Sequence, residues 1–461
     1  MSWLGAVVDW RGVGGTRTTI ERMMARSRHR ADDGDRSWSD PSCALGHRLH
    51  ATRAEELAKP QPRWHPEMGI AIVMDGHLDE PSEIVAPTGE HRAPGPTGSE
   101  IVAAAYNRWG SRLAHHLSGT FALIIWDARR RLLYAARDAF GLRPLFLSQT
   151  RASVALASEI EPLLALEAAT PDLEDAVVLD YLTGAFHRSR ETFFRSVSRI
   201  PPGHHIVATE HGIDCSRYFS PPLAVRRFAD AHEVASELRG ALERSVATNL
   251  ASHRPVLVHL SGGIDSTSIA VLAAEIHHRE PSRACEPVLG SVVFPGLTCD
   301  ERPFAEVVAT ATRLRWLRFD ATRAKLERPF GQMGAGFPCT PPHLGVFEGL
   351  KTMADSVGAR VMLSGWGGDQ ILEERGVFHE LAARGRWITL LRESHDCLAY
   401  PPLGRSFWLR DAARHALPLS IRRWRSSRRR GGPPSWLGPR LRPLWGEPIP
   451  QQPAFPGATR L

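Results

Sequence analysis

Beyond residue 231 the chain alternates between short, almost wholly apolar runs and segments whose apolar positions recur every three or four residues. The runs lie at 255–260 (PVLVHL), 288–294 (VLGSVVF), 314–319 (LRWLRF) and 360–363 (RVML), and helical patterns separate them at 266–278, 302–313 and 344–357. Apolar runs of this kind predict strands buried on both faces. Spaced by helices, they predict an α/β domain whose parallel sheet is covered on both sides and binds ligands beyond the carboxyl ends of its strands. The first 220 residues read differently. Ile101, Val102, Ala105, Tyr106, Trp109 and Leu113 predict a helix over 99–117, and two antiparallel strands are expected at 120–126 and 131–136, around a basic turn at 127–130. The pattern therefore divides the chain into an α+β domain over 1–220, a linker over 220–231, an α/β domain over 231–417 and a tail over 418–461, where Pro, Gly and Arg rise and periodicity fades.

A length of 461 residues suits two or three domains, and 43% hydrophobic with 23% charged residues is ordinary for a soluble globular chain. The net charge of +7 would suggest a nucleic-acid partner if it covered the folded body, but it does not. Of the 57 basic residues nine, all Arg, fall within 418–461 against one acid, Glu447, which leaves 48 bases and 49 acids elsewhere. No nucleic acid is expected as a partner, and the tail reads as a solvated end. Cys43, Cys215, Cys285, Cys299, Cys339 and Cys397 form no C-x-x-C pair, which argues against a zinc module or a disulfide framework. The apolar stretch at 3–8 ends at Asp9, too soon for a secretory signal, and no run approaches the roughly 20 residues of a membrane span. Cytoplasmic location without membrane attachment is the expectation. The paired histidines His115 and His116, His204 and His205, and His277 and His278 lack ligand spacing.

Two glycine-bearing strings carry the chemistry. HLSGGIDSTS, residues 259–268, follows a buried strand and opens a helix, so its backbone N–H groups converge as an anion cradle. Gly262 and Gly263 permit close approach, Ser261 and Ser266 carry hydroxyl donors, and Asp265 is suited to hold Mg²⁺ against a polyphosphate. MLSGWGGDQ, residues 362–370, again runs from a buried strand into glycines and an acid, Asp369. No Walker A string occurs, so the expected phosphate site is of another kind.

These strings, with GTFALIIWDARRRLLYAARDAFGLRPLF at 119–146 and SRIPPGHHIV at 198–207, resemble the asparagine synthetase family, which includes β-lactam synthetases and lasso-peptide cyclases. The likeness extends over roughly residues 1–400. It implies an Ntn-hydrolase-like domain of glutaminase type, then an ATP-pyrophosphatase domain of the adenine nucleotide alpha hydrolase-like kind. It also implies ATP and Mg²⁺, with the nucleotide held by Leu260, Ser261, Gly262, Gly263, Asp265, Ser266, Val293, Ser364, Gly365, Gly367 and Gly368. Asp265 and Asp369 would be the catalytic acids sharing the metal. The implied reaction adenylates a carboxylate and passes the acyl group to an amine.

Several positions depart from the family pattern. Ser2 stands where the family carries an N-terminal cysteine, Trp3 replaces a small glycine, and Asp75, Gly76 and His77 replace the glutamine-binding Asn-Gly-Glu, so glutaminase activity is expected to be lost. Trp366 replaces a loop glutamate, and no Lys follows Lys351 to supply the family's catalytic lysine. The abrupt Arg-rich end also implies truncation of the family's C-terminal helices. The leading reading is a glutamine-independent cyclase of lasso-peptide type, acting on a small-molecule or precursor-peptide carboxylate and working with a leader-peptide-binding or protease partner. An asparagine synthetase fed by ammonia or glutamine, and a nucleotide-binding scaffold without catalysis, remain open.

Overall fold

In a computed structural model of the protein, residues 1–30, 32–79, 96–150, 152–166, 172–184, 188–222, 226, 228–281, 285–323, 344–372, 375–396, 409–410, 412–414, 417, 421 and 432–445 are described. They belong to two compact units, Met1–Glu174 with Ser189–Gly365, and Asp175–Arg188 with Trp366–Leu461.

The first unit begins with twelve strands: β1 (Trp3–Asp9), β2 (Asp35–Ser39), β3 (Cys43–Arg48), β4 (Arg63–His65), β5 (Ile70–Leu78), β6 (Gly119–Asp127), β7 (Leu132–Arg137), β8 (Phe146–Gln149), β9 (Ser153–Ala157), β10 (Val197–Arg199), β11 (His204–Thr209) and β12 (Gly212–Arg217). They form two antiparallel sheets, in the orders β10-β8-β9-β1-β3-β2 and β12-β11-β7-β6-β5-β4. The helices are α1 (Thr16–Arg26), α2 (Ala54–Ala58), α3 (Gly98–Trp109) and α4 (Ile160–Leu164).

Period-two alternation sets the layers. Ala122, Ile124 and Trp126 of β6 join Leu4, Ala6 and Val8 of β1 in a core between the sheets. Phe121, Leu123 and Ile125 point the other way, onto Ile101, Val102 and Ala105 of α3. On the far side Trp3 and Val7 pack against Ile20 and Met23 of α1 and Leu163 of α4. The result is helix, sheet, sheet, helix, the Ntn-type glutamine amidotransferase arrangement that the resemblance implies. The helix expected over 99–117 ends sooner. A capping box fixes its start, where the Glu100 carboxylate accepts the Thr97 N–H at 2.8 Å, but Gly110 takes φ +58 and the chain continues as a 3₁₀ turn over Gly110–His116.

Asp230 caps α6 (Ala231–Leu250), accepting the Glu233 N–H at 2.9 Å, and with it the α/β domain begins. Its strands β13 (Val256–His259), β14 (Pro287–Val293), β15 (Trp316–Asp320) and β16 (Val361–Leu363) lie in the order β15-β14-β13-β16, and every pair is parallel. With α7 (Ile264–Arg279), α8 (Arg302–Thr312) and α9 (Leu344–Val357) between them, all four expected strands and all three expected helices are present. Val256, Val258 and Leu289 face α6, α7 and α8, while Leu257 faces Leu350 and Met353 of α9. Both faces of the central strands β13 and β14 are thus dry, as their apolar runs require.

In the second unit α11 (Arg375–Ala383) and α12 (Trp387–Asp396) pack through Phe378, Ala382 and Leu390 with Ala412. Helix α10 (Gly368–Leu372) precedes them, and the helix Asp175–Leu182 belongs to the same unit. The tail is not wholly a solvated end. Within 432–445, Leu437 is buried and the Arg440 guanidinium donates to Asp175 at 2.7 Å, so one of the tail's charges is held by an acid of its own unit. Most of 418–461 lies outside the described residues. Among the described residues no helix is long and apolar enough to cross a membrane.

Candidate functional site

The turn from β13 into α7 is built from the inside out. Leu260 is fully buried, and its N–H donates to Gly290 O at 2.9 Å, which extends the β13–β14 pairing by one residue. Its carbonyl accepts the Ser291 hydroxyl at 2.5 Å, and Ser291 in turn accepts the Trp316 indole N–H at 2.8 Å. Three parallel strands therefore grip the residue from which the loop departs. Gly262 then takes φ +105, and a side chain there would come within 2.9 Å of Glu301 O, so both backbone and space demand glycine.

The two serines behave differently from expectation. Ser266, buried in the first turn of α7, donates its hydroxyl proton to Gly263 O at 3.0 Å and accepts the Ser261 N–H at 3.2 Å. The Ser261 and Ser266 oxygens are 3.0 Å apart, and with the Ser266 proton committed, Ser261 is the donor of that pair. Ser261 Oγ also accepts the Gly263 N–H at 3.3 Å. Both hydroxyl protons are spent holding the loop shut, so the serines brace the turn and an anion would meet backbone donors. Gly263 caps α7 with no side-chain hydrogen bond, and the first intrahelical bond runs from Thr267 N to Gly263 O. That leaves the first-turn amides of a 16-residue helix, with its partial positive charge of roughly +0.5, as the candidate anion-binding element.

β16 is the neighbour of β13, and it delivers Ser364 and Gly365 to the same edge of the sheet. Gly365 passes so close to α7 that a side chain on it would lie 2.6 Å from Ser266 N and 2.7 Å from Asp265 Cβ. The two glycine corners are thus packed together. Asp265, half-buried, sits in the first turn of α7. Gly367, with φ +102, Gly368 and Asp369 follow Trp366 in the second unit, where exposed Asp369 occupies the first turn of α10 and Trp366 is 68% exposed. Each acid therefore opens a helix. Val293 ends β14 at this same edge with its side chain buried. Among the described residues no three His, Cys, Asp or Glu side chains converge as a metal cage.

Sequence reasoning passed over Ser291 and Trp316. Ser291 is the one hydroxyl in an otherwise apolar strand, and that was the available signal.

The position equivalent to the glutaminase nucleophile is also well defined. Ser2 is buried, its N–H donates to Asp75 Oδ1 at 3.2 Å, and its Oγ accepts the His50 N–H at 3.0 Å. Asp75 lies 3.7 Å from Arg143 Nη1. Gly76 takes φ +113 against Thr120 O, a place no other residue could fill. Burial drives His47 down to about 4, with Asp75 only partly opposing it, and burial, Met1's amino group and Arg360 take His50 to about 4 as well. The pocket holds neutral imidazoles around one acid.

Comparison with known proteins agrees with this geometry. A family described as glutamine amidotransferase domain matches residues 4–219, and one described as asparagine synthase matches residues 237–440. Asparagine synthetase [glutamine-hydrolyzing] 3 of Bacillus subtilis is 28% identical over 274 residues, 57% of this chain and 43% of its own length. Amidase chyE of Penicillium rubens is 28% identical over 319 residues, 67% of this chain and 46% of its own. A putative asparagine synthetase [glutamine-hydrolyzing] of Mycobacterium tuberculosis is 30% identical over 276 residues, 56% of this chain and 42% of its own. The chain spans less than half the length of these curated relatives. Among solved structures, the glutamine phosphoribosylpyrophosphate amidotransferase of B. subtilis aligns with 79% of this chain and 90% of its own, at 15% identity and a TM-score of 0.34. At that score the likeness adds nothing to the sheet topology and the family matches.

Replacing Gly365 by Ala should force the second loop off α7, because the clash is with backbone. We expect ATP affinity, measured by calorimetric titration with Mg²⁺, to fall about five- to 150-fold, the scale of an overpacking cost of about 1–3 kcal/mol. Gly240→Ala on α6, where only the Arg244 side chain lies nearby at 3.4 Å, should bind as the parent does. Equal affinity for the Gly365 variant would mean the corners do not need this approach.

His47 predicts a pH dependence. Its folded value of about 4 lies below the ordinary 6.5, so between those values the unfolded chain binds more protons and stability rises with pH. Acidification from pH 7 to 4.5 should cost roughly 2–3 kcal/mol through this fully buried group, seen as a falling Tm. His47→Gln should flatten that slope. An unchanged slope would locate the proton uptake elsewhere.

Proposed function

Because the chain belongs to the asparagine synthetase family, we propose that it is an ATP-dependent ligase that adenylates a carboxylate and passes the acyl group to an amine. The observation that carries this reading is the side-chain-uncapped N-terminus of α7, enclosed by Gly262 and Gly365 at the carboxyl edge of a parallel sheet. In the first step a substrate carboxylate oxygen bonds to the α-phosphorus of ATP while the bond to the β-phosphate breaks and pyrophosphate leaves. Negative charge grows on the departing group, and the fixed amides of α7 stabilise that charge without reorganising. In the second step the amine nitrogen bonds to the acyl carbon, loses a proton, and AMP departs. The substrate pair loses one water overall.

Asp265 and Asp369 offer hard oxygen ligands that suit Mg²⁺, which is commonly held by one or two carboxylates together with phosphate oxygens. An ion held by either acid would neutralise charge on the polyphosphate. The dry faces of the sheet and the buried Leu260 keep the loop's internal hydrogen bonds intact, so the amides stay aimed at one point.

We further infer that the amine comes from the substrate itself and not from glutamine. Asp75 accepts the Ser2 N–H where the family's Asn could donate, so it gives no hydrogen bond to an oxyanion formed on a carbonyl attacked by Ser2. Trp366 in place of a loop glutamate supports a substrate larger and less polar than free aspartate. A precursor peptide whose N-terminal amine joins an Asp or Glu side chain fits both changes, presented by a leader-binding or protease partner in the cytoplasm. Asparagine formation from ammonia is the second reading, favoured by the relatives' names.

The test is to combine protein, ATP, Mg²⁺ and candidate precursor peptides, then measure AMP and peptide mass. The expected product is lighter by one water, and Asp265→Asn should slow it about a hundredfold. Asparagine made from aspartate and ammonia, with no peptide product, would replace the cyclase by the second reading. ATP binding with no pyrophosphate exchange under any substrate would leave a scaffold.

A further inference from the structure

The N-terminal domain, if it no longer makes ammonia, has another job visible in its contacts. Ala51, Thr52 and Arg53, three consecutive residues that follow His50, each bond to the α/β domain within the first unit. The Ala51 carbonyl accepts from Arg360 Nη1 at 3.3 Å. The Thr52 carbonyl accepts from His253, both from its N–H at 3.0 Å and from Nδ1 at 3.0 Å. The Arg53 guanidinium donates to Thr248 O at 3.3 Å, on the last turn of α6.

The firmest of these links is an ion pair. Arg360 embraces Asp33 with both guanidinium nitrogens, Nη2 to Oδ1 at 2.8 Å and Nη1 to Oδ2, and both side chains are less than one-fifth exposed. Asp33 also accepts the Ala51 N–H at 2.8 Å, so acid, base and strap form one knot. Bidentate geometry with little solvent is the arrangement in which such a pair fixes position.

What the knot fixes is the base of β16. Arg360 immediately precedes that strand, which is three residues long and, among the described residues, lies at the sheet edge and pairs only with β13, through Val361, Met362 and Leu363. So short an edge strand has little of its own to hold it in register. Yet it must deliver Gly365 against Ser266 N, about 13 Å further along at roughly 3.3 Å per residue. His253 stands three residues before β13. The strap therefore holds the entry to both strands whose exits carry the glycine corners.

We infer that Arg360 is a positioning residue for the nucleotide site, and that through Asp33 the N-terminal domain serves as the brace that holds β16 in register. The inference rests on the proposed ATP site for its functional readout but not for its structural one. In the full chain, Arg360→Met and Asp33→Asn should each weaken Mg²⁺-ATP binding about tenfold and speed amide hydrogen exchange over Val361–Gly365. The double variant should lose about tenfold as well, because both changes remove one interaction. Arg360→Lys, which keeps the charge without the fork, should fall between. Losses that multiply to about a hundredfold, or unchanged exchange at 361–365 in the single variants, would overturn the brace. Faster exchange spread evenly over both domains would also overturn it, as general destabilisation. If the parent protein binds no ATP, the proposed function fails while the exchange measurement still decides the brace.

Discussion

The approach of Gly365 to the first turn of α7 is the constraint around which the α/β domain is arranged. Two loops can meet this closely only if their strands are parallel neighbours and end at the same edge, as β13 and β16 do. They can touch backbone to backbone only if the crossing residue has no side chain, since even a methyl at 365 would overlap Ser266 N. The serines then lock the first corner from within, and their hydroxyl protons are used up in doing so. The corner is a rigid set of amides. The proposed pyrophosphate departure would need donors that are already in place when charge appears, which a rigid corner would supply.

That requirement explains the load on residues far from the loops. Ser291 and Trp316 hold Leu260 from one side of β13 through a chain of two hydrogen bonds across three strands. On the other side β16 lacks such depth, being short and, among the described residues, paired along one edge, and Asp33 of the preceding domain supplies the anchor. The asymmetry of the sheet thus gives the first domain a structural part in the second domain's chemistry. A domain so used can lose its nucleophile without becoming dispensable.

Much of this was legible from residues alone. The four strands announce themselves as short apolar-rich runs, clearest in β13 and β14 where both faces are covered, and 255–260 maps onto Val256–His259 with its flanking Leu260. The glycine strings were legible because few other contexts need SGG followed by an acid at a helix start. The end of α3 was not, because Gly110 turns the chain while the apolar spacing runs on to Leu113. The fate of the two hydroxyls was hidden too, since residue type tells that a serine can donate but not which partner claims the proton. Asp33 and Arg360 are separated by 327 residues, and no local pattern joins such a pair.

The substituted glutaminase pocket and the retained nucleotide corner are physically consistent with each other. Asp75 cannot be exchanged for a neutral donor without changing its setting, because it accepts from Ser2 and faces Arg143 in a place with little water. His47 and His50 stay uncharged beside it, so the pocket's charge is settled between one acid and nearby arginines. Ser2, meanwhile, is tied to His50, and the next three residues are the strap that grips β13 and β16. Ser2 and the strap thus belong to one connected run of contacts, so a displacement at Ser2 would reach the two strands that carry the glycine corners.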